Sequence, residues 1–125
     1  MSGIAVEGVG SGYSREEFVS GLPLNRHSNG LRASVFVKSG PGALVGFTVL
    51  NTNASAQYIQ WFDAQTLPAD GAVPDGVVSV AGASDREFQW LPPRAARYGI
   101  VLCNSSTAGT KTIGSADCFF DVQFI

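Results

Sequence analysis

Hydrophobic and polar residues alternate in short runs from Leu31 onward, and this two-residue period predicts β-strands rather than helices. Turns rich in glycine, proline and asparagine separate the runs. The clearest runs span residues 31–38, 43–51, 56–62, 97–103 and 117–125, with shorter ones at 77–80 and 86–90. The chain therefore contains about seven short strands, the number and spacing typical of a sandwich or small barrel.

The connections between these runs predict the topology. Residues 39–42, Ser-Gly-Pro-Gly, form a tight-turn sequence, so the runs at 31–38 and 43–51 should pair as antiparallel neighbours. The connection 63–76 contains prolines and Asp-Gly pairs, and we expect it to be irregular and to cross between two sheets. The prolines at 92 and 93 should end the strand at 86–90.

These features predict an all-β fold. No segment between the runs is a candidate for the helix that would connect parallel strands, so the sheets should be mainly antiparallel. We expect an antiparallel β-sandwich of the jelly-roll or Greek-key type. The run ending in Val-Gln-Phe-Ile should be docked, because apolar side chains left in water would forgo burial energy. Gly46, inside an apolar run, should mark a bulge or a close backbone approach.

The chain divides into two parts. Residues 1–30 are broken up by glycine and serine, and we interpret them as an N-terminal arm. Residues 31–125 form the predicted β-sandwich domain, within the size of one domain. Residues 1–7 have neither the basic start nor the apolar core of a signal peptide, which predicts synthesis in a cytoplasm.

Charge excludes some classes of partner. Charged residues make up 14% of the chain, against about 25% in a typical domain. Low charge on a β-rich domain suits a protein whose edges are covered by neighbours. The net charge is −2 and the eight basic residues are scattered, which argues against nucleic acid. No run approaches the roughly 20 apolar residues of a membrane span.

Candidate chemistry is sparse, and we predict no catalytic residue, no metal site and no cofactor. The only histidine, His27, lies in the polar stretch before the first clear strand, and it could serve a serine or cysteine nucleophile only if the arm folded over the site. Asp63, Asp70 and Asp75 would hold calcium only if their connection curled, and their spacing fits no EF-hand. Asp117 and Asp121 fall on one face of a strand, which is more typical of a solvated face than of a glycosidase pair.

Two cysteines lie in the last two predicted strands, Cys103 and Cys118. A hairpin of those strands would bring them near each other. A reducing cytoplasm favours two half-buried free thiols, and whether they pair stays open at this point.

Three aromatic residues are candidate carbohydrate or interface contacts: Tyr58, Trp61 and Trp90. Together they would make a stacking platform for a sugar ring. However, Tyr58 and Trp61 have opposite parity on one strand and should point to opposite faces. One core residue and one interface residue is the simpler expectation.

Residues 43–125 resemble small structural proteins of tailed bacteriophages. The resemblance rests on Leu-Val-Gly-Phe-Thr-Val at 44–49, on 60–64 with 67–74, and on Gly-Ile-Val-Leu-Cys-Asn-Ser-Ser-Thr at 99–107 with 111–114. It implies a virion component, assembled in the host cytoplasm, without fixing its place on head, neck or tail. Residues 1–42 carry none of the resemblance.

The resemblance implies a non-enzymatic virion structural protein, most simply a capsid decoration (cement) protein that stabilises the head shell. Its partners would be the major capsid protein or other virion proteins, and a homo-oligomer, with a trimer favoured, is expected. We expect contacts through residues 1–30 and the loops 63–76 and 104–116. The alternative is a tail, neck or head-fibre module that binds a host receptor or a carbohydrate.

Overall fold

The computed structural model describes residues 22–125. They form eight β-strands and no helix. The strands are β1 (Leu24–His27), β2 (Ser34–Ser39), β3 (Gly42–Asn51), β4 (Gln57–Phe62), β5 (Gly76–Val80), β6 (Ser84–Ala96), β7 (Gly99–Ser105) and β8 (Cys118–Phe124).

Two four-stranded antiparallel sheets pack face to face. The first sheet has the order β1-β8-β3-β6 and the second sheet β2-β7-β4-β5. The first strand pairs with the last, the second with the seventh, the third with the sixth and the fourth with the fifth. This nested pairing, divided between two sheets, is the jelly-roll arrangement. The all-β sandwich prediction is confirmed.

Two topology predictions were wrong, both because a local turn does not determine sheet membership. β2 and β3 are joined by a tight turn, yet β2 pairs with β7 while β3 pairs with β6 and β8. The chain therefore changes sheet at this turn. Conversely, the connection between β4 and β5 stays within one sheet, since Trp61 pairs with Gly76 across it.

The prolines at 92 and 93 do not end a strand, contrary to expectation. β6 continues through them as a bulge, because Leu44 pairs with Arg94 whereas Gly46 pairs with Gln89. β6 is an edge strand, where a residue without an N–H is tolerated. Gly46 sits at this bulge as predicted: an added Cβ would lie 2.5 Å from the Phe88 carbonyl oxygen.

The inner faces of the two sheets make one apolar core. β8 illustrates the pattern, with alternate residues buried from Cys118 to Phe124, which confirms the docked C-terminal run. The core residues are Val35, Val37, Leu44, Phe47, Val49, Ile59, Trp61, Val78, Val80, Ala96, Ile100, Leu102, Cys118, Phe120, Val122 and Phe124.

The first strand lies within the segment predicted to be an arm. β1 pairs with β8 from Leu24↔Phe124 to His27↔Asp121, and it forms one edge of the first sheet. The rest of the predicted arm, residues 1–21, lies outside the described residues.

Candidate functional site

The three aromatic residues singled out in the sequence do not form one platform. Tyr58 and Trp61 lie on opposite faces of β4, as their parity predicts. Trp61 belongs to the core and is 5% exposed, whereas Tyr58 is half-buried on the outer face. The Trp61 indole lies against Gly76, and its Nε1 has no hydrogen-bond partner among residues 22–125.

Trp90 joins Trp61 at the open side of the sandwich between β5 and β6. Their ring centroids are 6.4 Å apart, in an edge-to-face arrangement. The Trp90 ring also packs on Phe47 and Phe88 at 5.7 and 4.8 Å, and the Arg94 guanidinium carbon lies 5.7 Å from its centre. This half-buried cluster closes the edge of the core and leaves little ring surface for a sugar.

The outer face of the second sheet is covered by residues 106–112, which we call the cover loop. The amide Nε2 of Gln60 donates to the carbonyl oxygens of Thr107, Ala108 and Thr110 at 2.9, 3.1 and 3.0 Å. Gln60 and Ser105 are fully buried beneath it. One side chain thus contacts three carbonyls of the loop. The Thr107 carbonyl also accepts from the Ser105 hydroxyl at 2.8 Å, and the Thr110 carbonyl from the Thr107 hydroxyl at 2.7 Å.

The cover loop is tied to the β4–β5 connection by an ion pair. Lys111 is 4% exposed, and its Nζ donates to the Asp70 carboxylate, which also accepts the Ile113 N–H at 3.2 Å. The hydrogen bond from Lys111, followed by that from the Ile113 backbone, lowers the pKa of Asp70. Backbone bonds from Gly71 N to Lys111 O and from Lys111 N to Ala72 O complete the tie. The two loops predicted as contact regions therefore form one continuous surface.

Asp63 fastens the other end of the same connection. Its carboxylate accepts the backbone N–H groups of Arg97 and Tyr98 at 2.9 and 2.8 Å, and that of Gly99 at 3.3 Å. Burial alone would raise the pKa of Asp63, but these three hydrogen bonds outweigh burial and lower the pKa. Asp75 accepts the N–H of Asp63 at 2.7 Å. The carboxylates of Asp63 and Asp75 thus stabilise turns by accepting backbone N–H groups, and they do not converge on a calcium site.

The structure shows no candidate metal centre among residues 22–125. No three His, Cys, Asp or Glu side chains there lie close enough together to hold a metal ion. The His27 ring stacks on Phe119 with centroids 6.2 Å apart, and its Nδ1 accepts the Asn29 N–H. Asp117 lies just before β8 and accepts a hydrogen bond from the Asn53 amide, so it does not share a strand face with Asp121.

The cysteines lie in different sheets, so β7 and β8 form no hairpin that would bring them together. Cys118 faces the core from β8, whereas Cys103 on β7 lies on the outer face, beside Gln60. Both are buried free thiols. Burial, offset in part by Lys111, raises the pKa of Cys103 to about 11, and burial together with Asp117 raises the pKa of Cys118 to about 11.

These thiols should be inert in the folded protein. The thiolate is the reactive form, and a pKa about two units above that of a free cysteine lowers its fraction at neutral pH by about a hundredfold. We expect iodoacetamide at pH 7.5 to alkylate the native protein at least about a hundredfold more slowly than the protein in urea. Mass spectrometry of quenched samples would measure both rates, and rapid single alkylation of the native protein would contradict the burial of one thiol.

One end of the sandwich carries five of the ten large apolar side chains that are exposed among residues 22–125. We call it the apolar end: β1, β3, β5 and β7 begin there and the other four strands end there. Val73 in the β4–β5 connection is 74% exposed, and Leu91 on the neighbouring bulge of β6 is 97% exposed. Leu22, Tyr98 and Ile125 are exposed at the same end. At the opposite end, the large exposed apolar residues of the described chain are Leu31, Leu50 and Ile113.

Sequence reasoning missed Gln60 and Lys111, which hold the cover loop. The sequence did contain one sign that the outer face of the second sheet is covered. It lies in β7, where every residue is buried, on the outer face as well as in the core. An apolar run without alternation indicates a strand buried on both faces. Lys111 lies in a loop of threonine and glycine, and no neighbouring residue indicates that it is buried. Its burial depends on Asp70, which is distant in the chain.

Comparison with known proteins identifies no relative of the chain. Within residues 22–125 there is no helix of the length and apolarity needed to cross a membrane. No protein-family model, no curated protein and no solved structure matches the chain.

Proposed function

We propose that the chain is a non-enzymatic structural protein of a tailed-bacteriophage virion and acts as a capsid decoration (cement) protein. The observation that carries the proposal is the apolar end, where Leu91 and Val73 are 97% and 74% exposed. Clusters of exposed apolar side chains are typical of protein contact surfaces. The jelly roll is also a body that viral capsid domains use, although a fold alone does not determine function.

The geometry suits attachment to a shell of repeated subunits. The Val73 connection and the start of β1, where residues 1–21 join the body, are both at the apolar end, on opposite edges of the sandwich. The ties made by Asp63 and by Lys111 with Asp70 fix the Val73 connection on the rigid sheets. A surface ordered before binding loses less conformational entropy when it docks. The major capsid protein is the proposed partner, with several copies, three in the simplest arrangement, around a local symmetry axis.

The carbohydrate-binding alternative has weaker support. It needs exposed aromatic faces, but Trp61 is in the core and Trp90 is packed between Phe47, Phe88 and Arg94. Tyr58 remains available on the outer face as a half-buried interface contact. We therefore rank a receptor- or sugar-binding role on the tail, neck or head fibres below decoration of the head.

Location on the particle tests the proposal. Antibody-gold labelling of particles purified from the natural source, with mass spectrometry of the same particles, should show the chain in regular positions over the head shell. Label confined to the tail or neck would instead support the alternative. Absence of the chain from purified particles by mass spectrometry would overturn the virion role.

A pair of substitutions tests the contact surface. We expect Leu91→Asp combined with Val73→Asp to weaken binding to undecorated heads by more than about tenfold, because two charges would be desolvated in an apolar contact. Leu50→Asp, on the outer face of the first sheet, is the matched control and should bind normally. Co-sedimentation with heads would measure binding, and circular dichroism would verify folding. Equal binding by all three proteins would exclude the apolar end as the contact.

A further inference from the structure

A cleft of about 280 Å³ opens between β1 and β2, the two edge strands on one side of the sandwich. Leu24 and Phe124 line it from the first sheet, and Phe36 and Val37 from the second sheet. Phe36 is 46% exposed, so part of this apolar lining faces solvent. The cleft lies beside the apolar end but is separate from the surface proposed above to contact the capsid.

Two cations occupy positions in this cleft where the strand pattern elsewhere places core residues. Arg26 pairs with the buried Val122 and Lys38 with the buried Ile100, so both stem from the inward side of their sheets. The Arg26 guanidinium lies 6.0 Å from the centre of the Phe124 ring. The Lys38 side chain passes close over Gly42, where an added Cβ would come within 3.0 Å of its Nζ.

Neither cation forms an ion pair within the described chain. The one ion pair among residues 22–125 joins Lys111 and Asp70, on the other side of the molecule. Arg26 and Lys38 also donate no side-chain hydrogen bond there, whereas Arg32 and Arg86 do. Two unpaired cations at the mouth of an apolar cleft are complementary to an anion attached to an apolar group.

We propose that the cleft between β1 and β2 binds an acidic peptide segment of a partner protein, with a carboxylate between Arg26 and Lys38 and a neighbouring aromatic or aliphatic side chain against Phe36 and Leu24. The volume is just below the range of about 300–1,000 Å³ for drug-sized ligands and suits a few side chains. Edge strands offer unpaired backbone groups to an extended peptide. Two cations on a protein of net charge −2 are too few for a nucleic-acid backbone. This inference does not depend on the virion role.

Titration of the purified full-length protein with short capped peptides tests the proposal. The first probe has phenylalanine flanked by glutamates, and two others replace the glutamates by glutamines or by lysines. In ¹H–¹⁵N correlation spectra, the glutamate peptide should shift the amide signals of residues 24–26 and 36–39. We expect it to bind at least about tenfold more tightly than the lysine peptide, because juxtaposed like charges cost several kcal/mol.

Charge reversal distinguishes a specific site from general attraction. In R26E/K38E the preference should switch to the lysine peptide, and in R26Q/K38Q the glutamate and lysine peptides should bind alike. R94E is the matched control, since Arg94 also lies over an aromatic ring but on the opposite edge strand, and it should keep the preference for glutamate. The same spectra verify that each variant is folded.

Several results would overturn the proposal. Equal affinity for the glutamate and glutamine peptides would mean that the cations do not select the ligand. Shifts spread over the surface, or a preference unchanged in R26E/K38E, would place binding elsewhere. Dimerisation of the free protein that R26E/K38E abolishes would assign the cleft to a second copy instead of a partner protein.

Discussion

Phe47→Ala is expected to lower the free energy of unfolding by about 3–5 kcal/mol, the usual cost of removing a buried phenylalanine ring. Phe47 is 1% exposed and contacts Phe88 and Trp90. β3 pairs with both β6 and β8, so the strand has little freedom to move into the cavity. Urea unfolding followed by tryptophan fluorescence would measure the loss, which is a large part of the 5–15 kcal/mol typical of a domain.

The matched control is Phe36→Ala, on an edge strand with its ring 46% exposed. Removal of this ring should cost no more than about 1 kcal/mol, since little buried contact is lost. A Phe47→Ala variant as stable as Phe36→Ala would show that the core at β3 is loosely packed. A change in the slope of the unfolding free energy against urea concentration would instead indicate altered compactness of the denatured or native state, or loss of two-state unfolding.

Gln60→Leu is expected to cost about 1–3 kcal/mol, because it removes three hydrogen bonds and leaves the Ala108 carbonyl without its donor. Leucine has a side chain of similar size but no N–H group to donate to the oxygens of Thr107, Ala108 and Thr110. A fall of roughly 10 °C in the melting temperature should accompany this loss. The effect should concentrate in the cover loop, since Gln60 holds that loop rather than the core.

Limited proteolysis can separate loop release from general destabilisation. Lys111 is buried in the native protein, so trypsin should cut after it only when the cover loop leaves the sheet. Cleavage there should accelerate in Gln60→Leu before other sites are cut. Gln89→Leu, an exposed glutamine of β6, is the control and should resemble the original protein. Unchanged cleavage after Lys111 would contradict the role given to Gln60.

The strands and the fold class could be predicted from the sequence because period-two alternation is a local signal. Alternation in β8 and the apolar run of β3 placed those strands within a residue or two of their observed bounds. Strand order could not be predicted in the same way. The turn at 39–42 has the composition of a hairpin, yet β2 and β3 separate into different sheets because each has a better partner distant in the chain. β6 continues past its prolines only because it is an edge strand, and edge position is a property of the whole sheet.

The proposed contact surfaces were harder to predict than the fold. The loops 63–76 and 104–116 were recognisable as polar connections, but their union depends on Lys111 meeting Asp70 across 41 positions. The cleft between β1 and β2 could not be predicted from the sequence. The strand at Leu24–His27 is short, and its apolar and polar residues do not alternate clearly enough to distinguish it from an arm. Arg26 and Lys38 could not be recognised as a pair in the sequence. The strand register directs both toward the space between the sheets.

The place of β8 also constrains how the protein is made. β8 is the last of the strands along residues 22–125 but lies between β1 and β3 in the first sheet. During synthesis β1 and β3 therefore emerge from the ribosome with no neighbour between them, and that sheet can close only after residues 118–124 have been translated. Pairing of the first strand with the last also gives the fold a high contact order, which slows folding. The nascent chain thus exposes unpaired strand edges for most of its synthesis, when contact with a chaperone would protect it from aggregation.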